Sequence, residues 1–158
     1  MVRVIIWSTM LWLAISLQSS WIYYISLKKL GIDIVFTMLF YLSLTSQSRN
    51  HMALVGFLTG TFADAAYGTL IGLNSLVYSM TTFTITHIKN QLSEPSLPQL
   101  VKLSLIAVLM KESITISIMT ATLGYKTNML NITKEAFFNL IALLFVALII
   151  HKKEQEIE

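Results

Sequence analysis

Residues 56–74 read GFLTGTFADAAYGTLIGLN, and small residues recur through them at four-residue spacing with one acid in register: Gly56, Gly60, Asp64, Gly68 and Gly72. Gly56 and Gly60 at i, i+4 put two missing side chains on one helix face, where a second helix can approach closely. Asp64 continues that face one turn later. A carboxylate in so apolar a stretch costs about 2.5–3.5 kcal/mol on insertion scales unless it reaches water, backbone donors or a basic partner. Two readings of Asp64 follow. In one it accepts hydrogen bonds from backbone amides of the turn at 68–74 and ties that turn to the start of the next helix. In the other it faces a partner or an ion, although the spans offer no second acid to complete a proton relay or cation site.

The composition around this stretch sets the class. The 158 residues are 55% hydrophobic and 12% charged, with a mean hydropathy of +0.70; an average soluble domain carries about 25% charged residues. This predicts a polytopic membrane protein, one domain with room for about six spans of around 20 residues. There are no cysteines, so disulfides, thiolate nucleophiles and cysteine metal sites are excluded together. The net charge of +3 sits mostly at segment ends and reads as topology information, not as a nucleic-acid surface.

Apolar segments fall at residues 4–26, 32–46, 51–67, 72–89, 100–123 and 134–151, followed by a charged tail at 152–158. The first runs past Trp21, Tyr23 and Tyr24 to Lys28 and Lys29 with no small-residue cleavage site, which predicts a retained helix and not a signal peptide. The second and third are short and predict a helical hairpin turning at Gln47, Ser48, Arg49 and Asn50, packed inside the protein or thinning the bilayer. KNQLSEPSLPQ carries two prolines that stop a helix, and GYKTNMLNIT reads as a polar outward connection. With the N-terminus inside, Arg3, Arg49, Lys89, Lys102, Lys152 and Lys153 lie on the cytoplasmic side against Lys28, Lys29, Lys126 and Lys134 outside. That balance favours both termini in the cytoplasm.

The fifth segment places Lys111 and Glu112 near its midpoint. Their side chains point roughly 100° apart on a helix, and Asp64 is the expected partner of Lys111. The pair reads either as an internal ion pair holding the bundle or as a site against another membrane protein or a small polar cavity. Ser75, Ser79, Thr82 and Thr86 form a hydroxyl stripe on the fourth segment, with Asn74 and Tyr78 beside it; interhelical packing is the expected use. His51, His87 and His151 fall at segment ends without clustered acids, so no metal site and no cofactor are expected. Neither G-x-S-x-G nor HExxH is present. Asn131-Ile-Thr133 matches a glycosylation sequon by pattern alone.

GFLTGTFADAAYGTLIGLNSLVY, preceded by a short apolar segment and by LQSS at the end of the first, resembles the bacterial rod shape-determining MreD family. Gly56, Gly60, Asp64, Gly68, Gly72, Leu73 and Asn74 occupy the family's Gly-rich third span, its Asp and its Gly-Leu-Asn-like turn. The match is specific over residues 54–78. Where many members have a proline before the Asp that opens the second span, this chain has Ile32 before Asp33. The resemblance implies a non-catalytic scaffold in the bacterial inner membrane. Such a scaffold maintains rod shape by linking a bitopic MreC-like protein, and indirectly the actin-like MreB filament, to the peptidoglycan synthases of the lateral wall.

The layout of six short spans is also similar to the substrate-binding membrane subunits of energy-coupling-factor vitamin transporters. Those dock a coupling subunit through small residues, often an Ala-x-x-x-Ala pattern in the first helix. Here that helix offers Trp12 and a single Ala14 in STMLWLAISLQSS, which argues against a transporter subunit. A lipid-precursor enzyme would need a constellation of acids or histidines that the sequence lacks. The expectation is therefore an all-α, six-span scaffold whose function is carried by helix faces, with Gly56, Gly60, Asp64, Gly68, Gly72 and Asn74 as contact residues and Lys111 and Glu112 as intramembrane charges.

Overall fold

The computed structural model describes residues 2–19, 32–67, 70–92, 95–123 and 129–155, in which all regular structure is helical. Six helices follow one another: α1 (Val2–Ser19), α2 (Ile34–Thr45), α3 (Arg49–Tyr67), α4 (Leu73–Lys89), α5 (Leu97–Leu123) and α6 (Met129–Gln155). They follow the six apolar segments in order. Among the described residues, Leu97–Thr122 and Leu130–Lys152 are long and apolar enough to cross a membrane. The expected continuation of the first span beyond Ser19, and Gly68, lie outside the described residues.

Helix ends depart from the expected ones for identifiable reasons. α2 is only 12 residues, about 18 Å, because Asp33 caps it: the Asp33 Oδ1 accepts the Phe36 N–H at 2.9 Å while its own backbone stays extended. Proline does not hold α5 back to residue 100. Pro98 sits in the first helical turn, where no intrahelical N–H bond is lost. α6 begins at Met129, five residues before the expected start at 134, so half of the polar connection is helix and Asn131 lies exposed on its first turn.

α2 is the hub. It packs on α1, α3, α4 and α6, and its Val35, Phe36, Leu39 and Phe40 are buried. Of the expected hairpin, α2 is the internal arm, whereas α3 makes its most extensive contact with α4. Glycine is the reason. A Cβ on Gly56 would meet the Tyr78 carbonyl oxygen and Thr82 Oγ1 at 2.7 Å, and one on Gly60 would overlap the backbone of Asn74 and Ser75. The two helices therefore touch backbone to backbone.

The hydroxyl stripe on α4 fastens its neighbours. Thr82 Oγ1 lies 2.9 Å from the Met52 carbonyl oxygen of α3, Thr61 and Ser75 hydroxyls meet at 2.9 Å, and Thr86 donates to the Ser43 carbonyl of α2 at 3.2 Å. Ser79 is only half buried. Such bonds contribute about 0.6 kcal/mol each on average between membrane helices, so they set register while close packing supplies most of the adhesion.

Candidate functional site

Two polar clusters occupy the interior, each centred on an aspartate at a helix end. The first is the turn between α3 and α4. Asp64, in the last turn of α3 and 2% exposed, receives the N–H of Gly72 at 2.9 Å, the N–H and Nδ2 of Asn74 at 3.0 and 2.9 Å, and the Ser75 hydroxyl at 3.3 Å. Gly72 takes φ +95° to aim its amide there, a conformation that L side chains resist. The carboxylate thus accepts from the otherwise free N–H donors at the start of α4. This is the turn-tying arrangement for Asp64. The closing face of Gly56 and Gly60 is likewise taken up inside the chain by α4.

The second cluster lies where α1, α2, α4, α5 and α6 converge. Lys111, 5% exposed, does not pair with Asp64. Its ammonium stands 3.2 Å from Asp33 Oδ2 and 3.2 Å from Glu135 Oε1, and 5.3 Å over the Phe36 ring. The expected pairing fails because Asp64 is already saturated by the turn and because two other acids are nearer. Asp33 opens α2, and Glu135 lies in the second turn of α6.

Asp33 is the centre of this network. Besides Lys111 and the Phe36 amide, it accepts the Tyr78 hydroxyl at 2.8 Å on Oδ2 and the Gln18 amide at 3.4 Å on Oδ1. Its backbone N–H donates to Asn139 Oδ1 at 2.8 Å. Gln18 also accepts the Val35 N–H at 3.2 Å, so one side chain of α1 spans both the cap and the first turn of α2. Tyr78 stacks on Phe36 with ring centroids 6.0 Å apart. The carboxylate is thereby held by groups from α1, α2, α4 and α5, and the residue's backbone N–H by α6, the arrangement a buried charge requires.

Glu112 makes no ion pair with Lys111 within 4.0 Å. It is 9% exposed, and its Oε1 has no hydrogen-bond partner, nor does Asn139 Nδ2. Lys111 and Glu112 are therefore not an internal pair of equals. Lys111 belongs to the Asp33 centre and Glu112 stands outside its hydrogen bonds.

Sequence reasoning missed Glu135, Asn139, Gln18 and the role of Asp33. The spacing of Glu135 and Asn139 at i, i+4 puts both on one face of α6, which was the available signal; Asp33 and Gln18 sit at segment ends, where polar residues are ordinary. Chemically the network can neutralise and position charge. Among the described residues, no group of three or more His, Asp or Glu side chains could hold a metal ion. No protein-family model matches the chain, and no curated protein and no solved structure is significantly similar to it.

Proposed function

We propose that the chain is a non-catalytic, six-span scaffold of the bacterial inner membrane, working in cell elongation as the MreD-like stretch at 54–78 implies. The observation that carries this reading is the apolar exterior of the bundle. The ion network lies inside, while the outer faces present Leu54, Phe57 and Phe62 on α3, Leu105 and Leu109 on α5, and Phe137, Ile141 and Phe145 on α6, all exposed. A soluble monomer rarely shows apolar surface on that scale, whereas lipid solvates it.

The interior supports a scaffold over an enzyme. The motif residues Gly56, Gly60, Asp64, Gly72 and Asn74 are spent on joining α3 to α4. Asp33 and Lys111 are spent on joining α2 and α5. What remains for function is the set of outer helix faces, which suits binding a bitopic MreC-like protein and the wall synthases beside it. Deleting the gene in its own host tests this. Rod cells should widen and round up, and the bitopic protein should no longer co-purify with the synthases; unchanged width and unchanged co-purification would contradict the proposal.

A further inference from the structure

At the end of α2 opposite Asp33, the α2–α3 turn and the C-terminal end of α4 enclose an open pocket of about 420 Å³. Its lining side chains, Gln47, Arg49, His87 and Asn90 among them, are all polar, and none is a carboxylate. Asn90 Nδ2 donates to the Gln47 carbonyl at 2.6 Å and fixes one wall. Arg49 is held in place: its Nη1 lies 2.9 Å from His87 Nδ1 and its guanidinium 5.6 Å over the Phe83 ring, which itself stacks on His87 at 6.2 Å.

Arg49 is thus positioned against α4 while it remains exposed to solvent. Arg49 has no ion pair within 4.0 Å among the described residues, so its guanidinium keeps most of its five donors for something else. The first amides of α3 at Arg49 and Asn50 add donors without intrahelical acceptors. Within two turns of the pocket, the exposed side chains become Leu54 and Phe57 on α3 and Met80 and Phe83 on α4. A donor-rich, cationic seat therefore borders an apolar face.

We infer that this pocket seats the phosphate of an anionic membrane lipid, with Arg49 on the phosphate oxygens and the acyl chains along Leu54, Phe57, Met80 and Phe83. The inference rests on the membrane reading above. Lysine and arginine placement puts this end of the bundle on the cytoplasmic side, where anionic lipids concentrate and basic pockets between helices bind headgroups.

Native mass spectrometry of the full chain in detergent tests it, with phosphatidylglycerol, phosphatidylcholine and inorganic phosphate in separate arms. Phosphatidylglycerol should bind about tenfold more tightly than phosphatidylcholine, the order of one hydrogen bond to a charged group. Arg49→Gln should erase that preference. Asn50→Asp, which brings a carboxylate into the pocket, should erase it independently should Arg49→Gln fail to fold. Lys102→Gln, at an exposed cation on α5, should leave the preference intact. Equal binding of the two lipids, an equal loss in Lys102→Gln, or inorganic phosphate binding as tightly as phosphatidylglycerol would each overturn the proposal. Alkaline extraction of cell membranes separates the failures: a chain that stays in the membrane and shows no preference sinks this site alone, and a chain that washes out sinks the membrane reading.

Discussion

Asp33 and Lys111 hold each other in a place where neither can be left alone. Removing one member of a buried pair typically costs about 3–5 kcal/mol, because the survivor keeps its desolvation cost without its partner. Lys111→Met should therefore destabilise the detergent-solubilised protein strongly, and Asp33→Asn made on top of it should recover part of the loss, with a coupling of about 0.5–3 kcal/mol in a double-mutant cycle. Lys111→Met and Asp64→Asn should be additive, since Asp64 answers to Gly72 and Asn74. Additivity in the first cycle, or coupling in the second, would contradict these geometries. Asn139→Leu should cost about 1–3 kcal/mol by leaving the Asp33 N–H buried and unpaired, measurable by thermal unfolding. The sequence made the expense of Lys111 legible but not its partner. An acid that opens a helix and one that precedes an apolar run both look like interface residues until α2 and α6 are seen to begin beside Lys111.

The α3–α4 pair is the element whose logic was most legible, because glycine spacing and a lone carboxylate both act locally. Gly60→Ile would drive a branched side chain into the backbone at Ser75. Overpacking of that kind costs about 1–3 kcal/mol where neighbours can move and more where they are backbone. Asp64→Ala should loosen the turn by removing the acceptor of donors from Gly72, Asn74 and Ser75, and hydrogen exchange at Gly72 and Asn74 should accelerate while α5 and α6 remain protected. Uniform acceleration across all helices would mean that the clamp is not local. Helix ends were less legible. Pro98 was expected to stop a helix and instead lies in the first turn of one, since proline's missing N–H matters only beyond that turn. The start of α6 was hidden by Asn131, Thr133 and Lys134, polar residues that a helix carries on its exposed side.

At the scale of the whole molecule, an apolar exterior surrounds an apolar core in which the two polar clusters are embedded. Length and apolarity alone single out α5 and α6 as helices able to cross a membrane. The proposed crossing of α1, α3 and α4 rests on their exposed apolar residues and on the charge balance of the connections, and that of α2 on its place inside the bundle. α2, about 18 Å long, crosses only if α1, α4 and α6 shield it or the bilayer thins around it. Topology mapping in cells is the most direct measurement. Paired cytoplasmic and periplasmic reporters would be fused after residue 92, after residue 126 and at the C-terminus. Six crossings predict cytoplasmic signals at residue 92 and at the C-terminus, and a periplasmic signal at residue 126. A periplasmic C-terminus, or a chain found outside the membrane fraction, would contradict the six-span scaffold.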